Sequence, residues 1–267
     1  MPHLRLGRHS RQLMINSSIG ILSPMKNIII LASVCLLLFV GTINQAAGHR
    51  ELVLGSGRLV TENPHFTDFV NIEAHSSFQV RITQSPLYSV SITADHNVMD
   101  HVRVRKVGRT LELTIDPDYR FQRITLRAAI RTPDLRSIRL SGASELVLED
   151  FSLAHDLDLH LSGASEAKGD LSARDLALNL SGASKIRLRG TGRDLTVEGS
   201  GASDLDLSDF AVRNVSVMLS GATEASVNMN GELRCDMSGA SRLYYRGKAN
   251  VDLEYLSLSG AAKIEKR

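Results

Sequence analysis

Cysteine is nearly absent from the sequence, which contains only Cys35 and Cys235 among 267 residues. Cys35 lies within an apolar N-terminal run that we expect to be removed on export, so no disulfide bond can form within the remaining chain. Cys235 falls on the inward side of a predicted strand, where a thiol is more often a small apolar core residue than a reactive nucleophile. A stacked apolar core must therefore supply the stability without covalent cross-links.

Acidic residues are missing from residues 1–48. The basic residues of this segment are Arg5, Arg8, Arg11 and Lys26. The apolar run 28–40 is 13 residues long, which is short for a bilayer span and typical of the core of a secretory signal peptide. Because Ala46-Ala47-Gly48 offers small residues for cleavage, we predict an N-terminal extension plus signal peptide over residues 1–48 and a single domain over 49–267.

Two alternatives for this segment stay open. Met25-Lys26 is a more natural start than Met1, in which case residues 1–24 are a mis-assigned extension. The second alternative is that the run 28–40 is retained and anchors the chain at its N-terminus.

A basic surface is also absent once this segment is set aside. The whole chain has 31 basic and 29 acidic residues, a net charge of +2. Without the four N-terminal basic residues, 27 basic residues remain against 29 acidic ones, which gives −2 with His neutral. We therefore predict no nucleic-acid partner, and membrane contact only through an uncleaved N-terminal segment, because no basic amphipathic helix is present.

Motifs for catalysis and for cofactor binding are missing as well. The nine His are scattered, and the sequence shows no metal-ligand spacing, no nucleophile elbow and no phosphate loop. His155 and His160 flank one predicted strand on its outer face. We assign no catalytic residue, no cofactor and no metal site.

What the sequence does contain is a short repeated phrase, Ser-Gly-Ala. Its seven copies begin at Ser141, Ser162, Ser181, Ser200, Ser220, Ser238 and Ser259. Successive copies are separated by 21, 19, 19, 20, 18 and 21 residues. A period near 20 residues indicates a stacked array in which neighbouring units bury one another's apolar faces.

The residues before each motif alternate between apolar and polar. Leu157, Leu159 and Leu161 show this pattern, which predicts a strand with one buried face and disfavours a helix. A second, shorter strand is predicted after the motif, as at 146–148 and 186–188. Two short strands and their turns fill about 20 residues, so we predict an all-β fold, a β-solenoid with coils of about 20 residues.

The glycine of each motif is interpreted as a structural corner. In a solenoid the same position of successive coils lies about 4.8 Å apart, and glycine takes backbone angles that other residues avoid. The flanking Ser hydroxyls can bond the local backbone or the next coil. The predicted structural residues are Gly142, Gly163, Gly182, Gly201, Gly221, Gly239 and Gly260.

Two polar columns accompany the repeat. Six residues before the motif stand Asp156, Asp175, Asp194, Asn214 and Glu232. We interpret this column as Asx-type turns that open a strand, with a cation site as the alternative. The second position after each Ser-Gly-Ala motif carries Glu145, Glu166, Lys185, Asp204, Glu224, Arg242 and Lys263. We predict a solvated charge ladder there; the alternative is that Glu145 and Glu166 form a catalytic carboxylate pair.

Residues 58–132 are rich in predicted strands but lack the motif. Alternating stretches occur at 78–83, 88–92, 102–105 and 111–115. Val107-Gly108-Arg109-Thr110 predicts a hairpin, and residues 96–101 predict one helical turn. We interpret 58–132 as divergent N-terminal coils or a β cap, and 133–262 as the Ser-Gly-Ala repeats. The chain ends just past the last motif, which predicts an incomplete final coil with an exposed edge.

These stretches together resemble the putative auto-transporter adhesin head-domain family, bacterial domains of unknown function with Gly-Ser-Gly-type repeats. The resemblance covers residues 65–262 and is carried by four N-terminal strands, such as Phe78-Gln79-Val80-Arg81-Ile82, and by the seven motifs. This chain has Ala-Ser where an acidic residue commonly follows the glycine in the family. The resemblance implies a right-handed parallel β-helix of the pectin-lyase-like type and a role in adhesion. The family has no established catalytic residues to carry over.

We therefore expect a non-catalytic secreted or cell-envelope protein that binds glycan or another envelope component. It is expected to cross the inner membrane and to act in the periplasm, at the cell surface or outside the cell. One alternative is a structural envelope protein that self-associates through its coil ends. Another is a carbohydrate-active enzyme of the pectin-lyase type, for which fold analogy alone is a weak warrant.

Overall fold

The computed structural model describes residues 50–267, of which Glu51–Arg267 form one compact unit. The predicted N-terminal extension, signal peptide and alternative anchor at 28–40 lie outside the described residues. Within the described part of the chain, no helix is long and apolar enough to cross a membrane.

The N-terminal part of this unit contains nine strands and one short 3-10 turn at Met99–His101. The strands are β1 (Glu51–Leu54), β2 (Leu59–Glu62), β3 (Asn71–Ala74), β4 (Gln79–Gln84), β5 (Ser89–Asp95), β6 (Val102–Val107), β7 (Thr110–Ile115), β8 (Tyr119–Gln122) and β9 (Leu126–Thr132). The predicted alternating stretches, the helical turn and the hairpin at 107–110 are confirmed, the hairpin with Gly108 at a φ of 59°.

The C-terminal part contains twelve strands that follow the repeat. They are β10 (Ser137–Leu140), β11 (Glu145–Ser152), β12 (Leu157–Leu161), β13 (Glu166–Ser172), β14 (Asp175–Leu180), β15 (Lys185–Thr191), β16 (Asp194–Gly199), β17 (Asp204–Val212), β18 (Asn214–Leu219), β19 (Glu224–Met237), β20 (Arg242–Leu258) and β21 (Lys263–Lys266). The long strands β19 and β20 each contribute to two sheets.

Two sheets form the walls of a parallel β-solenoid of about six turns with coils of roughly 20 residues, as predicted. The front sheet runs β7-β3-β10-β12-β14-β16-β18 and ends in the C-terminal halves of β19 and β20. The back sheet runs β9-β4-β11-β13-β15-β17 and continues through the N-terminal halves of β19 and β20 to β21. Each Ser-Gly-Ala motif joins a front strand to the back strand that follows it.

The core lies between the two sheets and is filled by the inward residue of each alternating pair. Leu159, Leu178 and Val197 occupy one column and are at most 1% exposed. Burial of one such side chain stabilises the fold by about 1.5–3 kcal/mol, and the column repeats this gain at each coil. Phe69, Phe78 and Phe210 are the largest of its fully buried side chains.

The prediction of a shorter strand after the motif was wrong. The back strands β11, β13, β15 and β17 have seven to nine residues, against four to six for the front strands β10 to β18. The reason is that back strands continue through register shifts, for example between Leu148 and Phe151. A bulge interrupts the alternation of side chains without ending the strand.

The N-terminal part combines divergent coils with a cap. Strands β3 and β4 pair in parallel with β10 and β11 and so form a first coil. Strands β2, β5 and β6 pair antiparallel to their neighbours and cover the end of the stack. Parallel pairing with the repeats and antiparallel pairing at the end of the stack thus belong to different strands of this segment.

Candidate functional site

The Ser-Gly-Ala corner is a ladder of backbone groups in direct contact. All seven motif glycines have a φ between +70° and +81°. From the second motif onward, the N–H of the motif Ala donates to the Gly carbonyl oxygen one coil earlier at 2.7–2.8 Å. A Cβ on these later glycines would lie 2.4–2.8 Å from that same oxygen. The coils are thus stacked so closely here that only glycine fits.

The hydroxyl that follows the motif closes the corner. It belongs to a buried Ser or Thr in the first six motifs: Ser144, Ser165, Ser184, Ser203, Thr223 and Ser241. Each of these hydroxyls donates to the carbonyl oxygen of the residue that begins its own motif, at 2.7–3.1 Å. These hydrogen bonds close the turn and give a structural reason for the recurrence of the serine. The seventh motif has Ala262 at this position.

A groove follows this corner along the outward surface of the front sheet. It has a volume of about 620 Å³ and extends over five coils. Each coil contributes one outward side chain, and these are Arg139, His160, Asn179, Glu198 and Met218. The first serines of the motifs form its second wall. Along its length the groove wall thus passes from the basic Arg139, through the polar His160 and Asn179, to the acidic Glu198, and ends at the exposed Met218.

The basic end of the groove contains two polar pairs. The Nδ1 atom of His75 lies 2.5 Å from the Oγ atom of Ser141. The Nη1 atom of Arg139 donates to the Oε1 atom of Glu73 at 3.1 Å. These contacts orient the side chains of His75 and Arg139, which both line the groove.

A second depression, of about 440 Å³, shares Met218 with the groove and extends it toward the C-terminus. Tyr255 lines it and is 54% exposed. The guanidinium carbon of Arg234 lies 4.8 Å from the centre of the Tyr255 ring, so the ring is held in place by a cation–π contact. Sequence reasoning noted His160 but missed this surface. The available signal was the outward position two residues before the serine that begins each motif.

The charge ladder on the back sheet is confirmed as a register column. Glu145 pairs with Glu166, Glu166 with Lys185, and Lys185 with Asp204. The column continues through Glu224, Arg242 and Lys263. Glu145 and Glu166 are therefore two neighbouring members of one exposed ladder on the outer surface of the back sheet, away from the front groove.

The corner opposite the motif carries a ladder of arginines and acids, which we call the arginine corner. It consists of Arg174, Arg193 and Arg213 together with the polar column at 156, 175, 194, 214 and 232. Arg174 donates to both carboxylate oxygens of Asp156, at 2.7 and 2.9 Å, and Arg193 makes the same paired contact with Asp175, at 2.9 and 2.5 Å. The acidic column that was interpreted as Asx turns thus makes hydrogen bonds to the following coil.

The electrostatics of this corner follow from these pairs. The hydrogen bond from Arg174 holds the pKa of Asp156 below its ordinary value. Burial of Asp134, where the ladder begins, raises its pKa and is the largest single effect. The hydrogen bond from His155 at 2.5 Å, the hydrogen bond from the Leu135 N–H and the nearby charges of His155 and Arg136 together outweigh it, so the net pKa is lowered. Within residues 50–267, no group of three or more His, Cys, Asp or Glu side chains is placed to hold a metal ion.

Cys235 lies in the front-sheet core beside Val217 and is 2% exposed. Burial raises the pKa of its thiol to about 12. The thiolate, which is the reactive form, is therefore scarce at neutral pH.

Comparison with known proteins agrees with this architecture. The family model described as "Putative auto-transporter adhesin, head GIN domain" matches residues 68–249. The chain belongs to this family. The match begins just before β3 and ends within β20, so the head GIN domain includes the parallel coils and the antiparallel cap strands β5 and β6. A search of curated proteins gave no significant match.

Solved structures share the fold of this head GIN domain. A putative adhesin from Bacteroides fragilis aligns with a TM-score of 0.72 and 20% identity over 80% of this chain and 100% of its own. A putative adhesin from Parabacteroides merdae gives 0.64 and 18% over 81% and 99%. A putative lipid binding protein from Parabacteroides distasonis gives a TM-score of 0.61 and 16% identity over 81% of this chain and 100% of its own. At these identities the likeness establishes the fold alone.

Proposed function

We propose that this head GIN domain is a non-catalytic binding module of the cell envelope, and that its front groove holds a glycan or another elongated envelope polymer. The observation that carries the proposal is the groove itself, which follows five coils and presents a different side chain at each step. A linear polymer matches a site with a fixed repeat, because successive units of the polymer meet successive coils.

The chemistry of the groove wall supports a glycan as occupant. Asn179, Glu198 and the motif serines supply amide, carboxylate and hydroxyl groups for hydroxyl-rich ligands. Met218 and Tyr255 supply exposed apolar area at the far end, 46% and 54% exposed. Aromatic rings with one polar end are common where a ligand has both apolar and polar faces. Membership of an adhesin head-domain family supports a location at the cell surface or in the envelope.

A direct test measures binding of the purified chain to a glycan panel by array and then by calorimetry. Ser200→Trp would fill the groove at an exposed position of its serine wall, and we expect at least a tenfold loss of affinity for any glycan that binds. Ala154→Trp, exposed in a turn away from the groove, is the matched control and should bind as the parent does. Equal binding by both variants, or no binding across glycans and isolated envelope material, would refute the groove as the site.

The same preparation tests the non-catalytic part of the proposal. New reducing ends or unsaturated products would be followed over a broad polysaccharide panel. Reproducible turnover that is lost on replacing one acidic residue would contradict it and favour the pectin-lyase type of enzyme. We expect retention of glycan without turnover.

A second candidate is a structural envelope protein that associates end to end. It is favoured by β21, which among residues 50–267 pairs with β20 alone and has no strand paired to its other edge. Open strand edges can pair with another chain. This candidate predicts filaments in electron micrographs that Lys266→Pro abolishes. Lys263 and Arg267 donate their N–H groups to the preceding coil, so the alternating Lys266 N–H points to the open edge.

A further inference from the structure

The outward surface of the back sheet, which we call the back face, is banded by charge. Strand β15 presents three basic residues, Lys185, Arg187 and Arg189, and the adjacent strand β17 presents three acidic residues, Asp204, Asp206 and Asp209. Neighbouring bands already form ion pairs within the chain, such as Arg187 to Asp206 at 3.3 Å. All six residues keep a solvent-accessible side.

Two further bands lie on either side of this central pair. Strand β11 presents Glu145 and Glu149 on either side of the half-buried Val147. Strand β20 presents Arg242 and Arg246 on either side of the half-buried Tyr244. Two rungs separate β11 from β17, and two rungs separate β15 from β20. The acidic and basic bands are thus placed symmetrically about the line between β15 and β17.

We propose that the back face binds a second copy of this chain through a two-fold axis that runs along the strands between β15 and β17. Such a rotation turns two faces toward each other, reverses the order of the rungs and preserves the columns. Strand β15 then lies over the partner's β17, and β11 lies over the partner's β20. The contact is isologous, so each complementary pair occurs twice.

The register of the strands determines which side chains meet. Arg187 faces the partner's Asp206, and Glu145 faces the partner's Arg242. Val147 faces the partner's Tyr244, whose ring already packs against the Arg267 guanidinium of its own chain. One position is mismatched, because Glu166 faces the partner's Glu224.

The ends of the stack are less suitable for a second copy. Strand β6 at one end carries Arg103, Arg105 and Lys106, and the open edge at the other end carries Lys263 and Lys266. Juxtaposition of like charges disfavours association. On the back face, bands of opposite charge would meet across the contact, which favours association and also fixes the register of one chain on the other.

The size of the back face indicates a weak dimer. Eight rungs from β4 to β21 at about 4.8 Å spacing and five residues per strand at about 3.3 Å give about 34 Å by about 16 Å. The two faces together would bury about 1,100 Å², which is at the low end for specific interfaces. Because exposed ion pairs are screened by salt, the dimer should be strongly salt-dependent. It would leave both front grooves exposed, so that one dimer could hold two ligand segments.

The test is analytical ultracentrifugation of the full chain at low and high ionic strength. We expect a monomer–dimer equilibrium whose Kd rises at least tenfold between 50 and 500 mM NaCl. Glu145→Arg alone and Arg242→Glu alone should each raise the Kd at least tenfold, since each places like charges at two symmetry-related contacts. An equimolar mixture of the two variants should restore dimerisation, because the mixed dimer has opposite charges at both contacts.

The controls reverse charges on the front face instead. Arg139→Glu and Glu198→Arg should leave the Kd unchanged, and circular dichroism should show that all four variants are folded. A chain that stays monomeric at 100 µM and low salt overturns the proposal. So does a dimer that survives both back-face reversals, or a mixture that fails to restore association. None of these outcomes depends on the groove, so the proposed binding function is tested separately.

Discussion

The Ser-Gly-Ala corner and the arginine corner both turn the chain between the same two sheets, but different groups set the distance between coils at each. At the first, a Gly carbonyl meets the Ala N–H of the next coil at 2.7–2.8 Å, with no room for a Cβ. At the second, backbone hydrogen bonds are joined by side-chain pairs such as Arg174 with Asp156. Backbone contact permits one residue type, whereas side-chain contact permits several, which explains why one corner is repeated in sequence and the other varies.

The largest loss of stability is expected from a substitution in the Ser-Gly-Ala corner. Gly201→Ala should destabilise the fold by about 3 kcal/mol or more, because the left-handed φ of +81° costs about 1–2 kcal/mol and the new Cβ would lie 2.4 Å from the Gly182 oxygen. The measurement is the free energy of unfolding in urea.

Gly142→Ala is the matched control for this prediction. Gly142 also has a positive φ, +77°, but its Cβ would meet the Ser76 nitrogen at 3.1 Å. We expect a loss of about 1–2 kcal/mol, from the backbone conformation alone. Equal losses at both glycines would show that stacking of the coils adds nothing to the cost.

A smaller effect is expected from the hydroxyl that closes the same corner. Ser184→Ala removes a buried donor that lies 2.7 Å from the Ser181 carbonyl oxygen, and should cost about 1 kcal/mol. Ala262→Ser adds this hydroxyl to the last motif and should be neutral or stabilising by up to about 0.5 kcal/mol. Thermal unfolding of both variants gives the measurement. A Ser184→Ala variant as stable as the parent would mean that the glycine ladder alone holds the turn.

The smallest effect is expected at the arginine corner. Asp156→Asn should cost less than about 1 kcal/mol at pH 7, because the pair with Arg174 is about half exposed. The pKa of Asp156 is lowered in the folded state by its hydrogen bond from Arg174, relative to an ordinary value of 3.8. Its contribution is therefore complete above pH 3.8 and is lost as the pH falls further.

Urea unfolding at pH 7 and near pH 2.5 tests this sign. The difference between parent and Asp156→Asn should shrink at the lower pH. Asp158→Asn, which removes an exposed carboxylate two residues further along, is the control and should show less change. A difference that grows on acidification would contradict the assigned pairing.

The sequence predicted best what repeats in it. The period near 20 residues predicted the coils, and the alternation of Leu157, Leu159 and Leu161 predicted the front strands. The column from Glu145 to Lys263 predicted the charge ladder. These features could be predicted because stacking places the same position of each repeat in one row, so that any regularity along the chain becomes a contact in space.

What the sequence hid is what breaks the repeat. The turn between β3 and β4, at His75–Ser77, precedes the seven motifs and has no glycine. Ser76 and Ser77 nevertheless adopt φ values of 63° and 71° there. The length of the back strands was missed because bulges interrupt their alternation. The groove was missed because its wall is built from a different residue type at every coil, and only the shared position relative to the motif marks it.

Each coil of the stack touches mainly the coil before it and the coil after it, so the domain can be lengthened or shortened by whole coils. Insertion of one unit of about 20 residues would add about 4.8 Å to the groove while every local contact stays of the same kind. The length of the front groove is therefore set by the number of coils. Duplication of a coil would therefore lengthen the groove without changing the side chains that line its existing coils.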